Sequence, residues 1–350
     1  MKTKRLNVID VAKGIGIFLV IFAHVNYQPE LLTMIYSFHM PLFFIISGIL
    51  FDKNKHTDFK TFIGRRFKTL FIPYVLFEIF SIGCLYMAER AYAPWQLFDV
   101  EKAKYLEYFS QILISNWSRT HVNQPLWFIP CLLLVEVIYF FIVKMDKKFI
   151  IPTCSVLAGI GWVLESGILP FDNKTLPWSL DSALVALLFY AIGNVSSKYV
   201  QKIIRNVSRK ENRNTYCLIL IAVVALAWVP LALMNGKITL GSKILNNGFL
   251  LVINGILGTM IILAISIMLQ NNKFLTFCGK NSFYLMSTHY IIRNYLVKPI
   301  YRIMNGGELY NKESMTETII PFIIVFSLSF IYTIIHVNVK KYLNDRKNVK

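Results

Sequence analysis

Residues 8–25 read VIDVAKGIGIFLVIFAHV, an apolar run that carries three ionisable side chains, Asp10, Lys13 and His24. As α-helix, 18 residues rise about 27 Å, close to the ~30 Å hydrocarbon core of a bilayer. Charges inside hydrocarbon are costly and persist where they pair or take part in function. Lys13 and His24 are 11 residues apart, about 1100° of helix and within roughly 20° of a whole number of turns. They therefore share one stripe, separated by about 16 Å along the axis. Asp10 lies one turn before Lys13, on the same side. The stripe begins with a carboxylate and an ammonium and ends with an imidazole.

Working outward, the same pattern of long apolar blocks recurs along the chain. Including the first, about ten spans are expected: 8–25, 32–51, 69–88, 125–143, 149–169, 176–196, 216–234, 246–269, 274–297 and 318–337. Apolar residues make up 55% and charged residues 16%, against roughly 45–50% and about 25% in soluble domains. The expected fold is an all-α polytopic transmembrane bundle, a single membrane-embedded domain over residues 1–350. The segment 89–124, the longest between spans, has room for a short amphipathic or re-entrant piece. Segments on alternate sides differ in Lys and Arg, 24 against 10. The positive-inside rule then places both termini in the cytoplasm.

The net charge of +18 follows that topology and an attraction to anionic lipid. Its basic residues lie in short stretches between apolar blocks, without the aromatic interleaving that binds nucleic acid strands, so nucleic acid is excluded as a partner. Cys84, Cys131, Cys154, Cys217 and Cys278 all fall in apolar blocks, without metal-ligand spacing. They read as core filler, and no metal is expected. The first span lacks a small-residue cleavage site and reads as a retained helix rather than a signal peptide.

Two further histidines join the stripe. The second span begins Tyr36-Ser37-Phe38-His39-Met40-Pro41 and runs into Ser47-Gly48, and the ninth holds His289 with Arg293 one turn beyond. From the direction of each span, His24, His39 and His289 are expected at similar depth in the outer half of the membrane. Imidazole is suited to taking a proton from a hydroxyl. Arg65, Arg66 and Lys68 precede the third span at the depth of Lys13, a cluster able to hold the phosphates of coenzyme A. The same cluster also reads as an ordinary topology signal. Glu78 and Glu136 fall mid-span, where hydrogen bonds across helices are expected. Trp127 opens the fourth span as an interfacial aromatic. His56, His121 and His336 receive no role. No Walker motif, dinucleotide loop, GxSxG or HExxH is present, which sets aside the common soluble enzyme chemistries.

Taken together, these stretches resemble the membrane acyltransferase-3 family, in particular its polysaccharide O-acetyltransferase-like branch. The resemblance rests on Asp10 to Gly16 leading to His24, on Phe38-His39-Met40-Pro41-Leu42-Phe43-Phe44 with Ser47-Gly48, and on Arg65-Arg66-Phe67 through Pro73-Tyr74. Leu126-Trp127-Phe128-Ile129-Pro130 and Gly279-Lys280-Asn281-Ser282 followed by His289 complete it. The resemblance implies a bundle of about ten helices, in a bacterial cytoplasmic membrane. It also implies transfer of an acyl group, commonly acetyl from acetyl-CoA, onto a glycan or lipid-linked sugar, with no permanently bound cofactor. In that expectation His24 and His39 are catalytic, and Lys13, Arg65 and Arg66 bind the donor. Asp10, Ser47, Trp127, His289 and Arg293 support them. The family's first-span motif has arginine where this chain has Lys13, which keeps the charge and loses the bidentate fork. The competing expectation is a transporter or exporter of a glycan or lipid-linked substrate, since charged stripes and helical Gly and Pro also suit a translocation path.

Overall fold

A computed structural model describes residues 7–25, 28–55, 58–95, 97, 102–115, 122–166, 176–240, 244–305 and 315–348. His56 and His121 lie outside the described residues. Among the described residues fifteen α-helices follow one another, with no strand beyond a single bridge between Thr239 and Ile244. They are α1 (Asn7–Val25), α2 (Pro29–Tyr36), α3 (His39–Leu50), α4 (Phe59–Arg66), α5 (Ile72–Ala91), α6 (Lys102–Ile114), α7 (Phe128–Ile142) and α8 (Lys147–Glu165). Then come α9 (Leu180–Ser208), α10 (Arg213–Asn235), α11 (Gly248–Met268), α12 (Lys273–Lys280), α13 (Ser282–Ile292), α14 (Lys298–Met304) and α15 (Met315–Asn348).

Among the described residues, nine helical segments are long and apolar enough to cross a membrane. They bear out the all-α polytopic bundle. The surface says the same: Leu218, Ile219, Val223 and Leu226 of α10 are all more than half exposed, a contiguous apolar face that suits lipid and not water. The ninth expected span, 274–297, is not one helix. It divides at Asn281, whose backbone leaves helical geometry (φ −112°, ψ 20°) and whose Nδ2 donates to the Phe277 carbonyl at 2.9 Å. Its two halves nevertheless run the length of α1, since Gly279 meets Asp10 at one end and His289 meets His24 at the other. The segment 89–124, which has room for a short amphipathic or re-entrant piece, contains the helix α6.

Prolines shape the helices that matter to the site. Pro41 lacks an N–H and its ring opposes the carbonyl of residue 37. The second span accordingly breaks into α2 and α3 at Ser37–Phe38, with Phe38 at φ −140° and ψ −19°. The Ser37 hydroxyl donates to the Met34 carbonyl (2.7 Å) and accepts from Trp228 Nε1 (3.1 Å), so the break is held from α10. Two π-helical turns, Phe67–Phe71 and Arg293–Val297, each end two residues before a proline, Pro73 and Pro299. The wider turn takes up the ring that a regular α-helix would have to accommodate there.

Lipid chains are as apolar as leucine, so helices in a membrane are held by close packing at small residues. Gly48 and Gly193 join α3 to α9: an added methyl would lie 2.0 Å from the Tyr190 carbonyl oxygen and 2.1 Å from that of Ile45. Gly14 and Gly279 join α1 to α12 in the same way, with 2.1 Å to Leu275 O and 1.7 Å to Asp10 O. Gly255 and Gly258 let α11 lie on Pro41 and Phe38, at the α2–α3 break. Gly83, by contrast, has nothing within 4 Å. Gly279→Leu should therefore fail to give a monodisperse protein in mild detergent, and Gly279→Ala should lower the unfolding temperature by an amount equivalent to about 1–3 kcal/mol. Gly83→Ala should leave it unchanged or raise it by up to roughly 1 kcal/mol of helix propensity.

Candidate active site

The α1 stripe faces a cavity of about 350 Å³, within the range of small-molecule sites. Lys13, Ser47, Thr69, Leu70 and Ser282 line one end; His24, Tyr36, His39, Gln124 and Thr239 line the other. Ile17, Val20, Phe43, Phe128 and Met286 form much of the wall between. The ends are set by helix geometry alone, since Lys13 and His24 sit about 16 Å apart on one face of α1. A polar group at each end of an apolar passage is suited to a ligand with a charged head and a long arm.

At the histidine end, the His24 and His289 ring centroids are 5.2 Å apart, and His39 packs edge-on against Tyr36 at 4.8 Å. His39 and His289 are almost fully buried. Their Nδ1 atoms lie 3.0 Å from the Ile35 carbonyl and 3.1 Å from the Leu285 carbonyl. A carbonyl only accepts, so each Nδ1 carries a proton, and in the neutral tautomer that fits this bond the lone pair lies at Nε2. His289 Nε2 is buried, with no hydrogen-bond partner among the described residues. Three histidines from three separate segments thus meet at one end of the bundle. His289 stands behind His24 rather than on the cavity wall.

The remaining sequence candidates fall in several places. Ser47 and Trp127 line the cavity. Arg293 is nearly buried beside the histidine end, and its guanidinium donates to Asn294 Oδ1 at 3.2 Å. Asp10 does not line this cavity; three residues advance a helix by about 300°, which turns its side chain some 60° from Lys13. It borders instead a separate basin with Lys53 and Lys147. Arg65 is exposed at the start of the third span. Arg66 points into the bundle, where its Nε meets Glu136 Oε2 at 2.8 Å. This is the cross-helix partner expected for Glu136, and any donor phosphate would share Arg66 with that carboxylate. The cysteines form no disulfide among the described residues, and no group of His, Cys, Asp and Glu there is arranged to hold a metal.

Other side chains at the site give no signal in the sequence. Asn123 Nδ2 donates to the Ser287 carbonyl (2.7 Å) and to Ser81 Oγ (3.1 Å). It thereby ties the turn Gln124–Trp127, which lines the cavity, to α13 and α5. Lys237, in the loop between α10 and α11, lies 5.0 Å over the Tyr36 ring, and Thr239 and Leu240 of the same loop complete the wall. An asparagine and a lysine in polar connections look like many others. Only the folded chain brings them to the histidines.

The sequence matches the acyltransferase-3 family, described as an acyltransferase domain, over residues 6–337. That is nearly the whole chain, and the chain belongs to this family. Among curated proteins none matches it significantly. Asn123→Ala removes both ties on the cavity-lining turn and should lower stability by about 1–3 kcal/mol, read as a fall in the unfolding midpoint of the purified protein.

Proposed function

We propose that this integral membrane acyltransferase moves an acetyl group from acetyl-CoA onto a hydroxyl of a cell-surface or lipid-linked glycan. The observation that carries the reading is the single cavity with Lys13 at one end and His24 and His39 at the other. The membrane is the bacterial cytoplasmic membrane, with both termini and the Lys13 end on the cytoplasmic side, as the distribution of Lys and Arg indicates.

In this mechanism the donor docks at the cytoplasmic end, its phosphates held by Lys13 and Arg65, with Arg66 contributing through the pair it makes with Glu136. The thioester arm lies along the apolar wall. The acceptor enters from the opposite end. His24 accepts the proton of the acceptor hydroxyl, aided by His39, as the hydroxyl oxygen attacks the thioester carbonyl. The tetrahedral intermediate collapses with cleavage of the C–S bond, and the proton returns to the departing sulfur. The products are the acetyl ester and free coenzyme A, so atoms and protons balance without an acyl-enzyme. Holding both reactants in one passage supplies much of the rate advantage, since a bimolecular step becomes effectively unimolecular. His289 supports His24 from behind, and Ser47 and Trp127 shape the passage.

Radiolabel transfer from acetyl-CoA into the glycan fraction tests the reading. The wild-type protein should transfer label, and His24→Ala should lose at least about 10²-fold, the scale of general-base catalysis, while inserting normally. Full activity in His24→Ala would remove it from the mechanism. Absence of acetyl-CoA turnover in well-inserted wild-type protein would favour the transporter reading. Lys13→Ala should raise KM for acetyl-CoA more than it lowers kcat, because it removes binding made equally before and during the reaction. Lys13→Arg should retain most of the affinity.

A further inference from the structure

A second concavity, of about 760 Å³, lies outside the site just described and shares no lining residue with it. It opens at the Lys13 end of the bundle, between the first turn of α1, the end of α3, the α7–α8 connection and the second half of α9. Lys53, Lys147 and Lys198 reach it from three different elements. Among the described residues none of the three is within ion-pair distance of a carboxylate, whereas Lys55 pairs with Asp52 at 3.5 Å. Four lysines thus meet two carboxylates, Asp10 and Asp52, in one basin. Ser197 and Gln201 add polar hydrogen-bonding groups. Asn194 is already committed, donating to the Gly48 and Phe51 carbonyls and accepting from Tyr139, and so forms part of the rigid floor.

The rest of the wall is apolar and partly open. Leu50 is 57% and Val195 47% exposed, and Ile49 and Ile150 lie beside the lysines. Lys53 lies three residues beyond the end of α3, and Lys147 opens α8. The lysines therefore stand at the level where the apolar runs end and lipid headgroups begin. A soluble anion would satisfy the lysines and leave the apolar wall in water. A diacyl lipid satisfies both, and basic pockets between membrane helices are suited to anionic headgroups.

We propose that this basin binds the phosphate headgroup of an anionic phospholipid, with the lipid's chains lying against Leu50 and Val195. The proposal is independent of the transfer mechanism, because none of these residues belongs to the active-site cavity.

Native mass spectrometry of the full-length protein in mild detergent, titrated with phosphatidylglycerol or phosphatidylcholine, tests it. The wild type should retain phosphatidylglycerol in preference to phosphatidylcholine. The variant K53Q/K147Q/K198Q should bind phosphatidylglycerol more weakly by on the order of tenfold or more, and K53R/K147R/K198R should keep the affinity. Equal retention of the two lipids by the wild type, or an unchanged affinity in the glutamine variant, would overturn the proposal. So would displacement of the bound lipid by millimolar inorganic phosphate or by coenzyme A, which would assign the basin to a soluble anion or to the donor. Single Lys→Gln variants give the same comparison if the triple variant does not fold, with a partial loss expected for each and no loss for any contradicting the site.

Discussion

Among the described glycines, the tightest approach to a neighbouring helix is where the backbones of α1 and α12 meet. A methyl group on Gly279 would fall 1.7 Å from the Asp10 carbonyl oxygen, and one on Gly14 2.1 Å from that of Leu275. In a bilayer no difference in hydrophobicity drives two such helices together, so the contact rests on the absence of side chains at these positions and the dispersion it permits. The active-site geometry depends on it. With α12 fixed against the first turns of α1, the chain turns at Asn281 and α13 rises beside the rest of α1 to bring His289 to 5.2 Å from His24. A wider spacing at the Gly14 end would separate the imidazoles at the other.

Around that fixed pair, the remaining elements are irregular where they touch the cavity. The second span breaks at Ser37–Phe38 to present His39, the third enters through a π turn whose Thr69 and Leu70 line the wall, and the fourth begins as a 3₁₀ turn ending in Trp127. Broken helices free backbone carbonyls and redirect side chains, a recurrent way of building polar sites within apolar bundles. The histidine tautomers follow from the same economy of parts, because each Nδ1 proton is held by a carbonyl four residues earlier, across the α2–α3 break for His39 and within α13 for His289. In the tautomer that this bond selects, His39 and His289 carry their lone pairs at Nε2 without any further side chain being spent on orienting them.

Much of this was legible in the sequence because it is periodic or local. Block length and composition gave the helical bundle, and the 11-residue spacing placed Lys13 and His24 on one face, where both line the cavity. Gly14, Gly48 and Gly279, present in the quoted stretches, are all close-approach positions. Other features needed the third dimension. The ninth segment reads as one apolar run, but Asn281 can cap or continue a helix and only packing decides which. Asp10 appeared to share the Lys13 stripe, yet a 60° offset is enough to put it in a different basin. Arg66 and Glu136 lie 70 residues apart in different spans, and nothing local pairs them.

The central claim is that donor and acceptor enter one passage from opposite ends. Sealed inside-out membrane vesicles carrying the protein, given radiolabelled acetyl-CoA only on the outside, test it most directly. The account predicts labelled ester on glycan inside the vesicles, protected from an esterase added outside until detergent is present. Label that the external esterase removes from intact vesicles would place both substrates on one side and contradict the account.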